Sequence, residues 1–342
     1  MKKILVGLIV FLVLITGAYA SYRFLIIPKD DKDGGEPAPK PIPVVVKKLK
    51  IVNPDSKTRP YAVMINNINV ARPNHAGLQD ALIVYEMIVE GDITRMMAIF
   101  KDQTTARIGS VRSARHYYLD YAMENDAIYV HFGGSPQAAR DIANFRIQDI
   151  DGMADGGFWR DTTLGVASEH TAFTSITKLD AAVLRLRYRT ETTAALLLDY
   201  SIEEINLDKM EGSIVANTVR IPYSSYMTPS YSYDVINKVY NRFANGLTHK
   251  DGITNLQYTA KNIITYRVTN TRLDSYGRQT LYNVGSGDGY YITNGYAVPI
   301  KWTKADRSSQ TVYTYLSGKE ITVNDGNTYI QIQPSSQALS IN

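Results

Sequence analysis

The 342-residue sequence contains no cysteine. This excludes disulfides, thiolate metal sites, a thiol nucleophile and a lipid carried on an N-terminal cysteine. Histidine is scarce, with five residues, and none falls in an HxH, HxxxH or HExxH spacing, so no metal site is expected. Glycine fingerprints for phosphates or dinucleotides and the GxSxG elbow do not occur in their required contexts, so no cofactor is expected either. Charge of one sign is also lacking: 37 basic against 33 acidic residues leave a net charge of +4. No long basic stripe appears, which argues against nucleic acid as a partner.

Long apolar runs are absent except at the start. Residues 1–20 read MKKILVGLIVFLVLITGAYA, with Lys2 and Lys3 ahead of an uncharged run from Ile4 to Ala20. A helix of that length reaches across a hydrocarbon core. Ala18-Tyr19-Ala20 has the form of a cleavage site, but the run is long for a signal peptide and continues through Phe24 to Ile27. The expected reading is an uncleaved anchor over residues 1–27, with the lysines inside and the rest exported. Residues 28–50 carry KDDKDGG and Pro37, Pro39, Pro41 and Pro43, a composition that buries little and makes an extended tether.

Two folded regions follow: a mixed α/β or α+β domain over 51–207 and a mostly antiparallel β domain over 216–335. In the first, Tyr61–Asn67 reads as a buried strand ending in two amides, then a loop holding Arg72 and Pro73. Leu82–Glu90 and Ile93–Asp102 read as strands joined by Gly91-Asp92, a favoured hairpin pair. That turn would place Glu86 opposite Met97 and Ile88 opposite Arg95, with Arg95 diagonal to Glu86 and Glu90. Two residues of strand on either side of Ile88 separate the glutamate Cα atoms by about 13 Å. Glycosidic hydrolysis needs about 5–10 Å between its carboxyl groups.

Next comes ARIGSVRSAR at 106–115, which should lead into a helix near Ala114–Glu124 with Ser113 as N-cap. Ala127–His131 reads as a strand, followed by Gly133-Gly134-Ser135-Pro136 and a helix to Phe145, with Ser135 as N-cap and Pro136 first inside. A glycine turn into a helix start can hold an anion, and is also an ordinary βα corner. Residues 149–169 read as a long irregular loop. Thr174–Arg187 reads as a helix started by Ser175 or Thr177.

The second region holds most of the tyrosine, 17 of 25 residues lying after Arg187. Its strand candidates are Val219–Tyr223, Lys261–Val268, Arg278–Val284, Gly289–Thr293, Val298–Thr303, Thr311–Tyr315 and Tyr329–Gln333, separated by Gly- and Asn-rich turns. Tyrosines in such strands are usually strand formers, less often sugar platforms.

The candidate ligand groups are Arg95, Arg107, Arg112, Arg115, Ser113, Gly133, Gly134 and Ser135, with Asn67 and Arg72 at the end of the first strand and its loop. Guanidinium forks suit carboxylate or phosphate, but equally pair with Glu86, Glu90 and Asp120. Glu86, Glu90, His131 and His170 are the acid/base candidates.

With these segments placed, the chain resembles the YerB-like family of bacterial envelope proteins. The resemblance is carried by Arg72-Pro73, Val84-Tyr85-Glu86, Val89-Glu90-Gly91, Ile93-Thr94-Arg95, Ile108-Gly109, the run Val111-Arg112-Ser113-Ala114-Arg115, His131 and Gly133-Gly134-Ser135. Later it includes Asn262-Ile263-Ile264, Gly277-Arg278, Gly287-Asp288-Gly289, Asn294-Gly295, Lys301-Trp302 and Gly326 to Ile330. It implies two domains and an envelope location, and supplies no reaction. Members are typically described as lipoproteins, which this chain, lacking cysteine, cannot be by that chemistry. Ser110, Asn74 and His170-Thr171 depart from the family pattern.

The expected function is a membrane-tethered extracytoplasmic binding protein for an anionic group of a cell-wall component. One alternative is an envelope hydrolase or transferase on wall polymers using Glu and His as acid/base. The other is a scaffold that meets another envelope protein and takes no small ligand.

Overall fold

The first strand, β1 (Tyr61–Asn66), is buried at all six positions, as an apolar run covered on both faces should be. The computed structural model describes residues 48–342; the expected anchor and most of the tether lie outside the described residues. In chain order there follow β2 (Ile83–Ile88), β3 (Thr94–Phe100), α1 (His116–Glu124), β4 (Ile128–His131), α2 (Pro136–Phe145), β5 (Asp149–Asp151) and α3 (Ile176–Leu186). The second half adds β6 (Ile214–Val215), β7 (Thr218–Arg220), β8 (Pro229–Asp234), β9 (Val239–Ala244), β10 (Asn262–Val268), β11 (Gly285–Thr293), β12 (Tyr296–Lys304), β13 (Val312–Tyr315), β14 (Thr328–Pro334) and β15 (Ser340–Ile341). The fold is mixed and sheet-rich with few helices.

An eleven-stranded sheet runs in the order β6-β12-β11-β10-β14-β2-β3-β1-β4-β5, with β13 also on β12. β14 lies between β2 and β10, parallel to both. The two regions read from the sequence thus share one sheet, and one buried apolar cluster spans Val52 to Ile332. A six-stranded sheet holds β9, β8, β7 and β15 in succession. It covers one face of the large sheet, since Arg242 of β9 and Tyr231 of β8 reach Glu86 and Gln331. α1 covers the other face, where Tyr117 and Tyr118 donate to the carbonyls of Ile88 and Met87.

Several local expectations are met. Ser135 Oγ accepts from Ala138 N with Pro136 next in the helix, and Ser175 Oγ accepts from Lys178 N. Each of the seven strands expected in the second region overlaps an observed one. Other expectations are corrected. α1 starts at His116 with Arg115 as N-cap and no side-chain cap bond, so Ser113 does not cap it. Residues 149–169 are not one loop: β5 extends the large sheet beside β4, and Phe158–Arg160 joins a three-stranded sheet. Strands of three residues carry too short a pattern to be read without their partners. β8 and β9 also escaped the reading, because PSYSYD sets tyrosine among serine and VYNRFA puts a charged Arg242 on its buried face, so neither shows an apolar alternation.

The most consequential correction is the β2–β3 register. The turn contains Glu90-Gly91-Asp92, with Val89 N–H bonding to Ile93 O, so Glu86 pairs with Met96 and Met87 with Arg95. One extra turn residue moves Arg95 to the opposite face from Glu86. Arg95 therefore does not meet Glu86. It turns toward α1, donates to Ser113 O at 2.8 Å and stands 3.8 Å from Glu90.

Candidate functional site

The segment 112–115 and the turn 133–135, both holding candidate ligand groups, meet. Ala114 N–H donates to Gly133 O at 2.8 Å and Ser135 N–H to Ala114 O at 3.2 Å. The glycine turn, with Gly133 at φ +70°, is already occupied by the chain's own carboxylate: Gly133 N–H donates to Asp151 Oδ1 at 2.7 Å. His131 sits between them with Nδ1 at 2.9 Å from Gly133 O and Nε2 at 2.9 Å from Asp149. Both ring nitrogens face oxygen acceptors, which leaves neither free for proton transfer with a ligand.

The four arginines of this region are paired. Arg115 makes a two-point contact with Glu90, one arm at 2.9 Å. Arg95 shares that carboxylate at longer range, and burial lowers its pKa to about 10. Arg107 bonds Asp161 at 2.7 Å and lies 3.8 Å over the Phe173 ring. Arg112 reaches the mostly exposed Glu169 at 3.2 Å. Burial raises the Glu90 carboxyl, but the Arg115 hydrogen bond and charge outweigh it and hold Glu90 below its ordinary range.

These contacts rank two substitutions. Arg115→Met should cost about 2–3 kcal/mol, because a half-desolvated carboxylate loses its fork. Arg95→Met should cost only about 1–2 kcal/mol, since Arg115 keeps Glu90 paired and one carbonyl bond is lost. Urea unfolding of the two variants checks the order; the reverse order would mean that Arg95 is the principal partner.

His170 is 6% exposed, with Nδ1 at 2.8 Å from Asn66 Nδ2 and Nε2 at 3.3 Å from Glu169. Burial lowers its pKa, opposed by Glu169 and reinforced by Arg112.

Glu86 is fully buried and forms the centre of a different cluster. Its carboxylate takes hydrogen bonds from Asn67 at 2.9 Å, Thr94 at 2.6 Å, Gln331 at 3.1 Å and Arg242 at 2.7 Å, with both ion-pair partners at 0% exposure. A carboxylate so enclosed has no open side toward a substrate. Arg242 Nε continues to His249 Nδ1 at 3.0 Å, and His249 Nε2 to His75 Nδ1 at 2.8 Å. Sequence reasoning passed over Arg242, His249 and His75. The available signal was Arg242 two residues from Tyr240 and Ala244, on the buried face of an alternating strand.

Arg72 borders this cluster. It lies on the turn Arg72–Asn74, and NH1 donates to Asn67 O at 2.8 Å and approaches Met227 Sδ at 3.7 Å. Among the described residues it has no carboxylate partner, and its Nε and NH2 make no hydrogen bond. Burial lowers its pKa, with Glu86 pulling upward and Arg242 pushing down. The guanidinium lines a cleft of about 420 Å³ with Lys250, His249 and Gly252. Gly252 lets the loop close on the turn, as a Cβ there would stand 2.6 Å from Pro73 O. Asp251 also borders the cleft, but its oxygens are taken by the N–H groups of Gly77, Ile253 and Thr254 and by Tyr258 Oη. Among the described residues, no group of three or more His, Asp or Glu is arranged to hold a metal ion.

Comparison with known proteins agrees with this architecture. The model of the protein of unknown function (DUF3048) N-terminal domain matches residues 49–189, and that of its C-terminal domain residues 219–330. "Putative lipoprotein YerB" of Bacillus subtilis (strain 168) is 27% identical over 323 residues, covering 93% of this chain and 94% of that protein. The crystal structure of YerB protein from Bacillus subtilis superposes with a TM-score of 0.73 at 28% identity, covering 84% of this chain and 94% of that one. With both domain models matched in order and the fold shared, the chain belongs to the YerB-like DUF3048 family.

Proposed function

We propose that this chain is a membrane-tethered, extracytoplasmic protein of the cell envelope that binds an anionic group of a wall component beside Arg72. The envelope location draws on the relative described as a lipoprotein and on the apolar run behind Lys2 and Lys3. Without cysteine, the tether is the peptide segment itself and not a cysteine-linked lipid. Among the described residues no helix is long and apolar enough to cross a membrane, so this role falls to the N-terminal run.

One observation carries the binding reading: Arg72 is a half-buried guanidinium that faces a cleft and has no carboxylate partner among the described residues, the Asp251 oxygens at the same cleft being taken by other groups. Arg72 and Arg242 stand against the single Glu86 carboxylate, which leaves positive charge that an anion would neutralise. Lys250 adds a second cation at the rim. The arginines of 95–115 support this reading less, each having a protein carboxylate at hand. Acid/base catalysis is disfavoured by the enclosure of Glu86 and by the engaged nitrogens of His131.

Titration calorimetry of the full chain in detergent, at low salt, with inorganic phosphate, glycerol phosphate and N-acetylmuramic acid tests the reading. At least one probe should bind with a Kd near or below about 1 mM, weakening as salt rises. Arg72→Ala should weaken it about tenfold or more, whereas Arg112→Ala should not. Equal binding by the Arg72 variant, or loss confined to the Arg112 variant, would refute this placement.

A further inference from the structure

A second cleft opens where the two sheets part. Its floor is the large sheet at β10, β11 and β14, and its wall is the C-terminal segment at Leu339 and Ile341, part of it in β15; its volume is about 450 Å³. Register puts Thr265 opposite Gln331 and Tyr290, and Arg267 opposite Gln333, so Thr265, Arg267, Tyr290 and Gln333 share one face of the sheet. This is the face whose inner part carries Gln331 and the Glu86–Arg242 pair.

Two of the floor residues are incompletely satisfied. Thr265 is 1% exposed and Gln333 is 0% exposed, yet Thr265 Oγ1 and Gln333 Oε1 have no hydrogen-bond partner. Gln333 uses its amide nitrogen on Pro222 O at 2.7 Å, so its oxygen is the orphan. Buried polar atoms without partners are few in folded proteins, and two lining one cleft point to a group that enters it. Arg267 is exposed and has no carboxylate partner among the described residues, while Tyr290 is half-buried on the same floor. Asp288 also borders the cleft, though it is mostly exposed and paired with Lys301.

The chemistry of these groups selects the ligand. Gln333 Oε1 needs a donor, Arg267 needs an acceptor, and Thr265 Oγ1 can take either. A phosphate or carboxylate would satisfy Arg267 but meet the Gln333 oxygen and Asp288 lone pair to lone pair. A hydroxyl both donates and accepts. Leu339, Ile341 and the Tyr290 ring offer apolar surface to the C–H face of a sugar ring, in the mixture of apolar walls and few polar groups usual for ligand clefts. We infer that this cleft is a carbohydrate-binding site, taking a hydroxyl-rich saccharide across β10, β11 and β14. It is independent of the anion site beside Arg72 and goes beyond it.

The test uses the full chain in detergent with chitotetraose and cellotetraose as probes, followed by calorimetry and by amide hydrogen exchange. Binding of either with a Kd below about 10 mM, insensitive to salt, with slowed exchange in 262–268 and 285–293, is expected. Arg267→Ala and Tyr290→Ala should each weaken it about tenfold, while Arg72→Ala should leave it unchanged. Absence of binding by the folded protein at that concentration would overturn the inference. So would affinity unchanged in both variants of the cleft, or protection confined to other strands. Failure of phosphate to bind beside Arg72 would bear only on the anion site.

Discussion

Arg242→Met is expected to lower the unfolding free energy by about 3–5 kcal/mol, the usual cost of leaving a buried charge without its partner. The guanidinium is fully enclosed, bonds Glu86 at 2.7 Å, donates to Tyr231 Oη and stands 5.0 Å from the centre of the Tyr329 ring. Its removal strands the Glu86 carboxylate among Asn67, Thr94 and Gln331, which satisfy its lone pairs but not its charge. The double variant Glu86→Gln/Arg242→Met should recover a good part of the loss, because no charge then remains buried. Urea unfolding followed by circular dichroism measures both. A loss below about 1 kcal/mol for the single variant would show that water reaches the pair. The pair joins β2 to β9, so it decides how the second sheet seats on the first.

Acid should destabilise the protein through its buried histidines. An arginine Nε can only donate, so His249 Nδ1 accepts from Arg242 and His249 Nε2 carries the proton toward His75 Nδ1. His75 Nε2 then donates to Asn66 O. Each imidazole is neutral, and a further proton would set donor against donor. Burial pushes His75 down to about 3, and burial, the adjoining His75 ring and the Arg242 charge push His249 well below its ordinary value.

The folded pKa values lie below the unfolded value of about 6.5, so the unfolded chain binds more protons in between. Stability is therefore complete above about pH 7 and falls as pH drops, by up to about 1.4 kcal/mol per unit for each histidine. Burial raises Asp120 to about 6 despite Arg307, and this one carboxyl acts in the opposite sense. His116 and His170, also lowered by burial, add to the histidine side, so the net expectation is a loss of at least about 1.4 kcal/mol per pH unit between about pH 6 and 4. Thermal unfolding across that range should show it, and His75→Gln should roughly halve the contribution of the histidine pair. A melting temperature constant from pH 7 to about 4.5 would mean that the imidazoles protonate inside the fold.

Much of the local structure was legible in the sequence. YAVMIN had to be a buried strand, Ser135-Pro136 and Ser175 had to start helices, and the glycine- and asparagine-rich turns had to break the tyrosine-rich half into strands. These features depend on residues within one turn or one strand of each other, where propensity and capping act. Residues 112–115 do meet 133–135, but not because their strands are neighbours: β1 separates β3 from β4 and β3 runs antiparallel to it, so the chain reaches β4 only by returning along β1 at Val111 and Arg112.

The partners of the charged groups were decided only by the tertiary structure. One added turn residue put Glu86 and Arg95 on opposite faces, and Glu86 found Arg242 instead, 156 positions away. The composition change near residue 216 marked two regions of sequence but not the sheet that β14 makes continuous across them. Three of the four arginines in the conspicuous run from 95 to 115 meet internal carboxylates and Arg112 meets an exposed one, while Arg72, outside that run, faces a cleft with no carboxylate partner among the described residues. A side chain's type sets what it can bond. Register and packing set which of the possible partners comes within reach, and both depend on contacts across the whole chain.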